Sequence, residues 1–177
     1  MALREQAILM LDKRGGVLET AQRISALLKD HHIRGAIIGG VAVVLHGHLR
    51  TTRDVDVLVP QPLEDFRPIL ESAGVKYSAG KREFILDSIP IHLVDEKMVQ
   101  PPPTKLIEID HITTVSLVDL INMKLRTGLA KTTRAQDIAD VIGLIRRHKL
   151  TGAFSSKIDR SLRSEFRKLA TAVQRDS

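Results

Sequence analysis

Asp54 and Asp56 stand two residues apart in Arg53-Asp54-Val55-Asp56-Val57-Leu58-Val59, an acidic pair set in an apolar run. On a strand, residues i and i+2 leave the same face. The two carboxylates would then lie side by side, with Val55, Val57 and Val59 entering a core. Such neighbours repel unless a cation lies between them. Oxygen-only ligands favour a hard ion, and Mg²⁺ is held by one or two carboxylates plus substrate phosphates. Just upstream, Ile37-Ile38-Gly39-Gly40-Val41-Ala42 reads as strand, glycine turn and short helix. Without a Cβ at Gly39 and Gly40, a phosphate could approach the backbone N–H groups of a helix N-terminus. Arg50 and Arg53, around Thr51 and Thr52, could reach phosphate oxygens as fork donors. Alternatively, they neutralise the acidic pair when no ion is bound.

The order Gly39-Gly40, Arg50-x-Thr52, Asp54-x-Asp56 resembles the nucleotidyltransferase superfamily related to DNA polymerase beta. Its small bacterial branch, which includes minimal transferases and toxins of the abortive-infection type, is the part most similar. The likeness is clearest over residues 35–60 and looser out to about residue 147. It implies an α/β (α+β) fold, with a mixed β-sheet core flanked by helices and a helical C-terminal part. It also implies transfer of a nucleoside monophosphate from a nucleoside triphosphate to an acceptor hydroxyl on RNA, protein or a small molecule. Asp54 and Asp56 would hold Mg²⁺. Gly47, Arg50, Thr51 and Thr52 match a Gly-x-x-Arg-x-Thr segment of the family. Lys124 with Asp137 matches a lysine and an aspartate of the toxin-like site. The nucleotide-binding set implied is Gly39, Gly40, Arg50, Thr52, Arg53, Lys124 and Asp137.

The family carries a third carboxylate on a later strand, where this chain has His92 in Ile89-Pro90-Ile91-His92-Leu93-Val94. Neutral histidine accepts a proton near pH 7 but is a poor ligand for Mg²⁺. Three readings stay open. His92 replaces the catalytic base, or Asp95 or Asp87 bends in, or the activity is lost or changed. The last would leave a degenerate module that binds nucleotide or RNA, or a subunit of a toxin–antitoxin-like complex.

Around these motifs, periodicity predicts a helix over 17–31 and a strand over 35–38. A short helix over 41–46 and an amphipathic helix over 63–72 follow, then strands over 75–79 and 82–86 joined at 79–81. The paired His31-His32 read as a helix end. Pro101-Pro102-Pro103 is a stiff spacer and the expected boundary between an α/β core (1–100, with an N-terminal helix) and a helical part (104–177). Residues 105–109 read as an extended edge segment. Ser116 with Asp119 resembles a capping box. Lys124 falls within the apolar face of the helix that follows and so needs an anion. That anion is either a nucleotide phosphate or a protein carboxylate. In the helix expected over 133–148, Ala135, Ile138, Val141, Ile142 and Ile145 face inward, Asp137 borders that face and Asp140 points away. Asp137 is either a site residue or an acidic group favoured in a first helical turn. A basic helix is expected over 158–173, with a stripe of Ile158, Leu162, Phe166, Leu169 and Val173 that would dock on its own core or on another subunit.

The chain has 177 residues, of which 43% are hydrophobic and 27% charged. These values suit one globular core. With no cysteine, disulfides and thiolate metal sites are excluded, and a cytoplasmic protein is the expectation. No apolar run reaches the roughly 20 residues of a membrane span. The formal charge of +6 sits at the C-terminus, where residues 146–177 hold nine Lys/Arg against three Asp/Glu. That excess is either a footprint for RNA or a solvated helix face or subunit contact. Aromatics make up only 3% of the chain, which argues against a base-stacking platform.

Overall fold

The computed structural model describes residues 16–60, 63–80 and 83–176. The apolar run at 7–11 and Lys81 of the expected turn lie outside the described residues. Seven strands among the described residues form one mixed sheet. They are β1 (Ala36–Ile38), β2 (Val55–Val59), β3 (Lys76–Ser78), β4 (Glu83–Leu86), β5 (Ile89–Asp95), β6 (Leu106–Ile109) and β7 (Ile112–Val115). Their order across the sheet is β3-β4-β5-β2-β1-β7-β6. The helices are α1 (Gly16–Asp30), α2 (Gly39–Leu45), α3 (Leu63–Ser72), α4 (Leu117–Ala130), α5 (Ala135–His148) and α6 (Arg163–Arg175).

The period of two on β2 divides the molecule into two apolar layers. Val55, Val57 and Val59 are buried with Ile37, Ile91, Ala21, Ile24 and Phe66, under α1 and α3. Leu58 is buried on the opposite face with Ala36, Ile38 and residues of α4, α5 and α6. Asp54 and Asp56 share parity with Leu58, so they project toward the side covered by the C-terminal helices. α2 lies between the layers: Val41 and Leu45 enter the first, Ala42 and Val43 the second.

The sheet continues past the proline run. β7 pairs in parallel with β1 at Ile37 and Thr114, and β6 closes the edge antiparallel to β7. The expected boundary near residue 104 therefore does not separate sheet from helices. β7 escapes a hydrophobic reading because Ile112-Thr113-Thr114-Val115 is half threonine. Thr114 is nonetheless fully buried, its hydroxyl donating to the Ile37 carbonyl at 2.6 Å. α4 starts as expected, with Ser116 Oγ accepting from the Asp119 N–H at 3.2 Å. Asp119 in turn accepts from Ser116 Oγ at 2.7 Å and from the Lys105 N–H at 3.1 Å, tying the helix start to the segment that leads into β6. α6 begins later than expected, because 160–162 form a separate 3₁₀ turn. Its stripe packs on its own chain: Ile158, Leu162, Phe166 and Val173 are buried in one layer with residues of α4 and α5, Leu169 is only half-buried, and Ala170 is buried beside them.

Candidate metal centre and nucleotide site

Strand register builds the centre. Asp56 on β2 pairs with Ile38 on one side and with His92 of β5 on the other. One residue beyond Ile38 the chain turns at Gly39, where φ is +65°. The acidic pair and the glycine bend are thus neighbours by construction. A Cβ at Gly39 would lie 1.8 Å from Asp56 Oδ2. A Cβ at Gly40 would lie 2.1 Å from Arg50 Nη1 and 2.4 Å from Thr52 Oγ1. Both glycines are needed for close approach, although in this structure the space is filled by the chain's own side chains. Ile38 provides no side-chain cap to the first turn of α2. Thr52 Oγ1 donates to Asp54 Oδ1 at 3.3 Å and so links the bend to the first acid.

Asp54, Asp56 and His92 converge, each offering a ligand atom within 4.8 Å of the other two. His92 Nδ1 lies 3.5 Å from Asp54 Oδ2 and 3.4 Å from Asp56 Oδ1. Burial and the Asp54 charge hold the Asp56 carboxyl above its ordinary pKa, against opposing contributions from His92 and Lys124. An acid pushed that way is short of positive charge, which a cation would supply. Asp95 and Asp87 do not bend in. Asp95 accepts from the Lys97 N–H at 2.8 Å and caps a 3₁₀ turn. Asp87 pairs with Arg23 on the surface.

Glu83 is the residue the sequence reading missed. β4 pairs with β5 so that Phe84 faces Ile91, which sets Glu83 beside His92. Its Oε2 lies 3.8 Å from His92 Nε2. Asp56, His92 and Glu83 thus form one row across three strands. The available signal was the hairpin register: with 84 opposite 91, 83 must stand opposite 92 on the same face.

The remaining expected residues gather on the helical side. Lys124 is buried, 2.7 Å from Asp137 Oδ1 and 2.8 Å from Asp140 Oδ2. Its anion is therefore a pair of protein carboxylates. Asp140 does not point away from the core. It is fully buried, reached by Arg50 Nε at 3.3 Å and by Gln136 Nε2 at 3.0 Å. Positions 137, 140 and 144 form a continuous inward row on α5, and the two cations permit acids there. Ala135, expected inward, is exposed. Asp137 Oδ2 accepts from Thr127 Oγ1 at 2.7 Å and Arg134 Nε at 2.8 Å. Burial alone would raise its pKa, but together with Lys124 these donors hold it below the ordinary carboxylate value. Arg50 thus lies against Gly40 and is held by Asp140, whereas Arg53 is exposed. Burial lowers the pKa of His48, whose ring packs on Gly143.

The basic C-terminal segment is less free than its charge suggests. Arg163 donates to the carbonyls of Ile158 and Ser156, Arg167 to Ser155 Oγ, and Lys168 to Glu165.

A mixed sheet carrying an acidic pair beside a glycine turn, with helices on both faces, defines a nucleotidyltransferase-like fold. Among solved structures, the chain is similar to an antigenic nucleotidyltransferase-like protein from Paracoccidioides brasiliensis. The TM-score is 0.54 at 17% identity, over 72% of this chain and 74% of that one. It is also similar to a nucleotidyltransferase candidate from Thermotoga maritima, with a TM-score of 0.49 at 16% identity, over 67% and 89% of the two chains. No protein-family model and no curated protein matches the sequence. No described helix is long and apolar enough to cross a membrane.

Proposed function

We propose that this protein is a metal-dependent nucleotidyltransferase that moves a nucleoside monophosphate from a nucleoside triphosphate to an acceptor hydroxyl and releases pyrophosphate. The observation that carries the reading is the convergence of Asp54, Asp56 and the Gly39 bend, with His92 completing a three-donor set. That donor set fits a divalent cation, the raised pKa of Asp56 pointing the same way. Asp54 and Asp56 would hold the ion, and it would offset charge on the phosphates as the α-phosphorus is attacked.

This chain's own groups do the rest. Gly39 and Gly40, lacking a Cβ, let Asp56, Arg50 and Thr52 close on the first turn of α2, so the groups that would meet the triphosphate gather around that bend. Arg50 is held against that turn by Asp140, so its guanidinium fork is pre-oriented for a phosphate. Thr52 orients Asp54. Lys124 and Asp137 act from behind: Lys124 donates to Asp137 and forms an ion pair with Asp140, and its charge still acts on Asp56. Mg²⁺ is the ion that two carboxylates alone would take; the imidazole of His92 bears directly on that choice.

The test is incubation with each α-labelled nucleoside triphosphate and total RNA or cell extract. Label is expected to move onto an acceptor, and Asp54→Asn with Asp56→Asn is expected to abolish this while circular dichroism stays unchanged. Transfer that survives in the double variant would overturn the proposal. A module that only binds nucleotide would instead show calorimetric binding indifferent to divalent cations, with no label transferred.

A further inference from the structure

The row Asp56–His92–Glu83 bears on which ion the centre takes. Bonds of about 2.2 Å to one ion put adjacent donors about 3 Å apart and opposite donors about 4.4 Å apart. The separations of 3.4 and 3.5 Å from His92 Nδ1 to the two acids fall in that span. The nitrogen that faces the acids is therefore placed as a third donor. The other nitrogen, Nε2, is turned toward Glu83, which is only 15% exposed. A ligating histidine commonly has its second nitrogen directed to a carboxylate, which fixes the tautomer and makes the ligand more basic.

We infer that His92 is a metal ligand rather than a free base, and that Glu83 is its positioning residue. Together they make this a centre for a first-row divalent ion, with Mn²⁺ the hardest it would take, rather than for Mg²⁺. The inference rests on the metal role given to Asp54 and Asp56 above and deepens it. The chemistry is a difference in donor type. Mg²⁺ requires near-octahedral oxygen coordination and gains little from imidazole. Mn²⁺ is still mainly an oxygen-seeking ion but dehydrates more readily than Mg²⁺ and tolerates an imidazole beside carboxylates, and affinity for nitrogen rises along the later first-row ions. Replacing an oxygen donor by Nδ1 shifts preference along that series without altering the acidic pair. A pocket of two aspartates, an imidazole and a carboxylate behind it also leaves room for substrate oxygens on the exposed side, since Asp54 and His92 are each about two-fifths exposed.

The experiment uses the full chain, stripped with chelator, and needs no nucleotide. Mn²⁺ binding is followed by electron paramagnetic resonance, with Mg²⁺ as competitor, and nitrogen coupling is read by pulsed methods. The expectation is a bound Mn²⁺ signal coupled to one ¹⁴N of histidine, displaced only by a large excess of Mg²⁺. Carboxylates alone can favour Mn²⁺ modestly, so the deciding comparison is His92→Asp. That variant should lose the ¹⁴N coupling and bring the Mn²⁺/Mg²⁺ preference down by about tenfold or more. Glu83→Gln should keep the coupling but weaken Mn²⁺ by about tenfold or more. Absence of ¹⁴N coupling, or an unchanged preference in His92→Asp, overturns the inference. Unchanged affinity in Glu83→Gln overturns the positioning role. Nitrogen-coupled Mn²⁺ without any label transfer would sink the transferase reading and leave this one standing. Transfer supported by Mg²⁺ with no nitrogen coupling would do the reverse.

Discussion

Asp56 is held in a conformation that opposes its own charge. It is partly buried, has Asp54 beside it, and carries a raised pKa for those two reasons. Removing the charge in the metal-free protein should therefore stabilise it. Asp56→Asn is expected to raise the thermal midpoint in chelator by roughly 2–4 °C, read by calorimetry. The same variant should no longer be stabilised by added divalent ion, whereas the parent should be. A variant that melts lower than the parent in chelator would show that the contact with His92 outweighs the repulsion. The acidic pair and its parity were legible in the sequence, because a period of two needs only a strand to become geometry. Glu83 was not, since its place depends on which residue of β4 faces which residue of β5. The pair 83 and 92 is separated by a hairpin whose register no single residue announces.

At the scale of elements, two junctions hold the centre in place. One is the β1–α2 turn. Gly39→Ala would put a side chain at φ +65° and 1.8 Å from Asp56 Oδ2. Left-handed backbone at a non-glycine residue costs about 1–2 kcal/mol, and the collision displaces the acid besides. The expected outcome is a lower midpoint together with lost divalent-ion binding by calorimetry. Ion binding unchanged in Gly39→Ala would show that Asp56 can move freely, contrary to the packing. The other junction is the α4–α5 pair around Lys124. Asp137 has its pKa lowered, so its folded form releases the proton more readily than the unfolded chain does. Its contribution is present above the ordinary value of 3.8 and is lost as pH falls through the lower folded value. Leaving a buried charge uncompensated costs about 3–5 kcal/mol, but Asp140 still faces Lys124 at 2.8 Å. Asp137→Asn should thus lower stability at pH 7 by less than that and flatten the acid limb of the stability–pH profile below pH 4, measured by urea unfolding. Sequence periodicity found both helices and the need of Lys124 for an anion. It mistook Asp140 for an outward residue because a helical wheel ranks an acid as polar and cannot see that Lys124 and Arg50 meet it inside.

At the scale of the whole molecule, the sheet is a partition. α1 and α3 close one face, α4 to α6 the other, and Asp54 and Asp56 share the parity of Leu58 on the second side. The sequence left the basic C-terminal helix three roles: docking on its own core, docking on a second subunit, or binding RNA. Its apolar residues serve the fold of this chain. Phe166 is fully exposure-free, packed with Ile158, Leu162, Ala170 and Val173 against α5 and beside Phe154. Truncating a buried phenylalanine costs about 3–5 kcal/mol, and for a chain of this size each kcal/mol moves the midpoint by about 2–4 °C. Phe166→Ala should therefore melt roughly 6–20 °C lower. The loss should be the same at low and high protein concentration, because the contact is within one chain. If the helix instead docks on a partner copy, the midpoint would climb with concentration in the parent and the variant would lose that dependence. Calorimetry over a hundredfold range of concentration separates the two. Because α6 packs on α5, which carries Asp137 and Asp140, the same variant should also loosen Lys124 from its aspartates and weaken divalent-ion binding at temperatures well below its midpoint.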